Sequence, residues 1–76
     1  SIYKALEKRS RIWECLLQQG DRVLSTTDLL ELMPDLRRSN LVIHLETLQQ
    51  QGLVLKTIRD RDPNYYWQVN YDYPEI

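Results

Sequence analysis

The sequence predicts an α+β domain in which three helices are followed by a two-stranded β-hairpin, and three observations carry that expectation. Apolar residues recur at helical spacing in three successive stretches, each bounded by a glycine or a proline. The chain's only two glycines, Gly20 and Gly52, both fall just past the end of such a stretch, where a left-handed C-terminal residue is favoured. Beyond Gly52 the composition turns to β-branched and aromatic residues on either side of a turn-forming cluster.

The first helix is expected at about 2–19, where Ile2, Leu6, Ile12, Trp13, Leu16 and Leu17 recur at three- and four-residue spacing and predict one buried stripe. Gly20 stops it and Asp21 opens a polar turn. Val23 and Leu24 are an apolar pair too short for an independent element, so 23–25 is either connection or a short extra strand. Ser25, Thr26 and Thr27 are N-cap candidates for a second helix at about 26–33, with Asp28 favouring its positive end. Leu29, Leu30, Leu32 and Met33 fill that helix, and Pro34 ends it. Asp35 is the expected cap of a third helix at about 36–51, whose stripe is Leu41, Leu45 and Leu48.

The hairpin is expected at about 53–70. Its strands, Leu53 to Arg59 and Tyr65 to Asn70, flank the turn cluster Asp60-Arg61-Asp62-Pro63-Asn64. The helical leucines, Trp13, Trp67 and Val69 are expected in the core, with Tyr65 or Tyr66 left at the surface. The tail from Tyr71 to Ile76, which holds Pro74, is expected to be irregular.

A chain of 76 residues makes one domain, 1–76, and its 42% hydrophobic and 28% charged residues are those of a globular protein rather than a disordered one. Cys15 is the only cysteine and His44 the only histidine, which excludes an internal disulfide, multi-cysteine zinc sites and His-rich metal sites, so no metal and no cofactor are expected. No stretch approaches the roughly 20 apolar residues of a membrane span, and no signal peptide is legible; the expected compartment is the cytoplasm, with nucleoid association if the source is bacterial. The first residue is Ser1, which is compatible with a processed chain or one cut from a larger protein.

The net charge is −1 and the isoelectric point near 5.7, but the charges are unevenly placed. Residues 1–34 carry five basic and five acidic groups, 35–61 carry five basic and three acidic, and 62–76 carry three acidic and none basic. The positive excess is confined to the middle segment.

Three helices, the second and third parted by a tight Pro-Asp turn and followed at once by a hairpin, resemble a winged helix-turn-helix. The run from Ser39 to Val54 is similar to the passage from recognition helix to wing in bacterial regulators of the MarR and ArsR families, which close the helix with leucines spaced by three and then Gly-Leu-Val; Leu45, Leu48, Gly52, Leu53 and Val54 match. With the Thr26 to Met33 helix, the resemblance covers about two thirds of the chain. A second, shorter resemblance lies in Asn64 to Tyr71, which looks like the aromatic wing strand of the large subunit of the general transcription factor E, whose domain binds polymerase and promoter together.

The resemblance implies a binding module for duplex DNA in transcription regulation, acting as a homodimer or with a protein partner, with the third helix in the major groove and the wing on the backbone. It implies contacts from Ser39, Asn40, Thr47 and Gln50 to base edges or phosphates, from Arg37 and Arg38 to the backbone, and from Ile43 to a thymine methyl group. In the wing it implies phosphate contacts from Lys56, Arg59 and Arg61, with Asn64 and Tyr65 adding hydrogen-bonding groups and Asp60 and Asp62 partly cancelling the charge. The alternative is protein docking within a larger transcription or replication assembly, through Val42, Ile43 and the wing aromatics. Lys8, Arg9 and Arg11 alternate with Glu7 and Glu14 at pairing distances and are read as a solvated face. His44 is expected to be packed and hydrogen-bonded, and Cys15 a passive thiol. An enzyme is not expected: there is no phosphate loop, no nucleophile-base-acid set, and no small-molecule substrate is implied.

Overall fold

The structure is a computed structural model that describes residues 2–74. Along the chain run α1 (Ile2–Gln18), β1 (Leu24–Ser25), α2 (Thr26–Leu32), α3 (Arg38–Gln50), β2 (Val54–Ile58) and β3 (Tyr65–Val69). The strands form one antiparallel sheet in the order β1-β3-β2, so residues 24–25 do form a short extra strand. Leu24 lies opposite Trp67, and Val54, Lys56 and Ile58 lie opposite Val69, Trp67 and Tyr65. This is an α+β, winged-helix-like topology.

Local chemistry accounts for each joint. Ser25 ends β1 and caps α2 at once: the Asp28 amide donates to its hydroxyl at 3.0 Å, and its own amide donates to the Asp28 carboxylate at 3.1 Å, a reciprocal capping box. At the far end of α3 the Leu53 amide donates to the Leu48 carbonyl at 3.0 Å and the Gly52 amide to that of Gln49 at 2.9 Å. That pattern needs a left-handed residue at its centre, and Gly52 supplies it with φ of +84°.

Two helix boundaries differ from expectation. Helix α2 stops at Leu32 because Pro34 drives Met33 out of the helical region, to φ −132° and ψ 69°. Helix α3 begins at Arg38, its N-cap is Arg37 with no side-chain cap bond, and Asp35 plays no capping part. The cause is the turn after Pro34: the Leu36 amide bonds the Met33 carbonyl at 3.1 Å, Leu36 drops into the core, and Asp35 is drawn to Arg11 of α1 at 3.1 Å.

The core joins Ile12 and Leu16 of α1, Leu24, Leu29, Met33 and Leu36, the α3 stripe Leu41, Leu45 and Leu48, and Val54, Trp67 and Val69 from the sheet. Trp67 is fully buried. The stripe of α1 is not buried along its length: Ile2 is 71% exposed, Leu6 48% and Leu17 38%, and Trp13 is only partly covered. A 17-residue helix is about 25 Å long, and only the half that carries Ile12 and Leu16 seats residues in the core. Leu32, at the end of α2, is likewise exposed.

Candidate nucleic-acid interface

The start of α2 fixes the positions of both α3 and the hairpin. Thr26, which is buried, accepts a hydrogen bond from the Trp67 indole at 2.9 Å and donates one to the Tyr65 carbonyl at 3.3 Å. Its neighbour Thr27 accepts from the Arg38 guanidinium at 2.9 Å. Two consecutive hydroxyls thus hold the central strand on one side and the first turn of α3 on the other. The sequence offered both residues as helix caps; their bridging role needed partners 39, 41 and 11 positions away and had no local signal.

On α3, Arg37, Arg38, Ser39 and Asn40 are exposed around the first turn, Ile43 is 61% exposed, and Gln50 is exposed at the far end. Thr47 is half-buried, and its hydroxyl donates to the Ile43 carbonyl one turn back at 3.0 Å, so it is already engaged.

The hairpin cations stand on different faces. Strand alternation puts Lys56, Ile58, Tyr65 and Trp67 on one face and Leu55, Thr57, Tyr66 and Gln68 on the other. The Lys56 ammonium lies 4.5 Å from the Tyr65 ring centre and 5.8 Å from that of Trp67, and the Arg59 guanidinium lies 3.7 Å from that of Tyr66. Tyr65 itself meets Trp67 edge to face, with ring centres 6.2 Å apart. Arg61 sits at the tip with φ of 62°, the left-handed region that costs a residue with a Cβ about 1–2 kcal/mol.

The tip is more ordered than two loose acids would make it. Asp62 accepts from the Tyr66 hydroxyl at 2.5 Å and from the Asn64 amide at 2.9 Å and side chain at 3.1 Å. The Tyr66 hydroxyl, then the Asn64 amide, hold the Asp62 carboxyl below its ordinary range, and the same bond raises the Tyr66 phenol. Asn64 is therefore spent inside the turn, while Asp60 and Arg61 remain exposed.

Among the described residues none of Arg37, Arg38, Lys56, Arg59 and Arg61 belongs to an ion pair, whereas Arg11 of α1 is paired with Asp35. His44 is packed, but its Nδ1 meets no partner, contrary to the expected hydrogen bond; burial first, then Arg9 and Lys8, lower its pKa. Burial pushes the Cys15 thiol up, away from the reactive thiolate. No helix among the described residues is long and apolar enough to cross a membrane.

No family model, curated protein or solved structure matches the chain.

Proposed function

We propose that this winged-helix-like domain binds duplex DNA in transcription regulation, with α3 in the major groove and the hairpin on the backbone, as the MarR and ArsR regulators that its α3-to-wing passage resembles would do. The observation that carries this reading is the set of five cations at the start of α3 and on the hairpin, none held by a carboxylate among the described residues. Cations stacked on aromatic rings or bonded to a hydroxyl keep their charge, and a phosphate can take up their remaining donors. Ser39, Asn40 and Gln50 offer free polar groups on the exposed side of α3, and Ile43 offers a surface for a thymine methyl group. Arg61 stands exposed at the tip in a left-handed conformation that glycine would accept most easily, which leaves its guanidinium open to a phosphate. On this reading the protein is a binding module of the cytoplasm or nucleoid and not an enzyme.

The test is anisotropy of a labelled random-sequence duplex at about 50 and about 200 mM salt, because released counterions make phosphate binding fall steeply over that range. The Arg37→Ala/Arg38→Ala double variant should bind more weakly across all sequences, with a salt slope reduced by about two. Unchanged binding and slope would refute the placement of α3. One observation favours a second reading, protein docking: Ile43 and Ile58 are 61% and 67% exposed, more than a polar interface needs. Absence of duplex binding at either salt concentration would support that reading over the first.

A further inference from the structure

The exposed side of α3 has few groups left with which to read a base. Thr47 is engaged with the Ile43 carbonyl at 3.0 Å, and Glu46 is half-buried. Arg38 is tied to Thr27 at 2.9 Å, and no lysine or arginine follows it as far as Gln51. Guanine is most often read by an arginine or lysine reaching O6 and N7, and the body of α3 has neither. What stands open is Asn40, exposed and without a hydrogen-bond partner among the described residues, and Ile43, which is 61% exposed. The two are three positions apart, about 4.5 Å along the helix axis, which is nearer to one base-pair step of about 3.4 Å than to two.

We infer that α3 selects two neighbouring A·T base pairs through the major groove, with Asn40 bonding N6 and N7 of an adenine and Ile43 packing on the methyl group of the adjacent pair's thymine. The amide of Asn40 offers one acceptor and a donor group side by side, the complement of adenine's N6 amine and N7. Guanine puts a carbonyl where adenine has that amine, so the Asn40 oxygen would face another oxygen, and cytosine lacks the methyl that Ile43 covers. Gln50 shares the chemistry of Asn40, but it lies about 15 Å further along the helix, at the end that leaves the groove when the N-terminal residues meet the bases. Ser39 bonds more than one kind of base edge and selects none. The inference rests on the duplex-binding reading and adds to it a base preference and the two side chains that set it.

The experiment is anisotropy of the 76-residue chain at about 50 mM salt with labelled alternating duplexes of A·T, of G·C and of inosine·cytosine pairs. An inosine·cytosine pair presents the major-groove pattern of G·C but lacks the minor-groove amine of guanine, so it separates reading by α3 from reading by the hairpin in the minor groove. The A·T duplex should bind about tenfold more tightly than both others. Uracil in place of thymine, which removes the methyl, should weaken the parent several-fold and leave Ile43→Ala unaffected. In the same way 7-deazaadenine, which removes N7, should weaken the parent and leave Asn40→Ala unaffected. Both positions are exposed, and the circular dichroism of each variant should match the parent. Equal binding of A·T and G·C duplexes, inosine·cytosine binding like A·T, or variants that keep the sensitivity to the base analogue would each overturn the inference while duplex binding stands. No binding of any duplex would remove the duplex-binding reading and the inference with it.

Discussion

Removing the hydroxyl of Thr26 should be among the most costly small changes available in this domain. Thr26→Val keeps shape and volume but leaves the Trp67 indole N–H, bonded at 2.9 Å in a fully buried side chain, with no acceptor. An orphaned buried donor costs about 1–3 kcal/mol, and the longer bond to the Tyr65 carbonyl at 3.3 Å is lost as well, so a loss of about 2 kcal/mol is expected. A domain of 76 residues has on the order of 4–11 kcal/mol to lose. With a urea slope of about 1 kcal/mol/M for so small a chain, the unfolding midpoint should fall by about 2 M. Thr26→Ser separates hydroxyl from methyl: it keeps both hydrogen bonds and should cost about 1 kcal/mol or less. In a Trp67→Phe background the donor is gone, and Thr26→Val should then cost clearly less than it does alone. A valine variant within about 0.5 kcal/mol of the parent, or a serine variant as damaging as valine, would refute the assignment of this bond as the tie between α2 and the hairpin.

Two further predictions concern the hairpin tip and the packed histidine. Arg61→Gly relieves a left-handed arginine and should stabilise the fold by up to about 1 kcal/mol while weakening duplex binding; a clear destabilisation in urea would show that the side chain has a structural role. His44 has a folded pKa below its ordinary 6.5, so the unfolded chain binds the extra proton first. Its contribution is complete above about pH 6.5 and declines as pH falls below it, by at most about 1.4 kcal/mol per pH unit, levelling off beneath the folded pKa. His44→Gln should flatten that decline in urea midpoints measured from pH 7.5 to 5, and an unchanged slope would assign it to other groups.

The parts of the fold legible in the sequence were those fixed by neighbours in the chain. Gly52 after Leu48 is a complete local device and is used as expected, while of the three cap candidates the structure uses Ser25, and Asp28, expected only to favour the positive helix end, also closes a capping box with it. Asp35 looked like a cap for the same local reason, but an arginine 24 residues away competes for its carboxylate and Leu36 competes for the turn. Helical periodicity marked Ile2, Leu6, Ile12, Trp13, Leu16 and Leu17 of α1 as one stripe, yet it carries no information on how far the remaining elements reach along the helix. That is why Ile2, Leu6 and Leu17 read as core and stand exposed. In the candidate interface, residue type identified the cations but not the state of the polar groups: Thr47 and Asn64 have the chemistry to bind a base or phosphate and are engaged with Ile43 and Asp62. Only the fold shows which donors are already spent.

A net charge of −1, treated as a single number, does not describe what a phosphate would meet at one part of this surface. The domain measures 37 × 30 × 21 Å, several times the screening length of about 8 Å at physiological salt. A phosphate at the hairpin therefore responds to Lys56, Arg59, Arg61 and their immediate neighbours rather than to acids a domain's length away. Of the two acids nearest those cations, Asp62 directs its oxygens at Tyr66 and Asn64, and Asp60 alone stands open beside Arg59 and Arg61. Arg37 and Arg38 lie in a separate cluster at the start of α3, with Arg38 tied through Thr27 to the same end of α2 that holds β3 through Thr26. Both cationic clusters are thus linked to the first turn of α2, which relates their spacing. On the proposed reading, affinity depends on that spacing, and loosening the joint at Thr26 should weaken binding even though Thr26 itself meets no DNA.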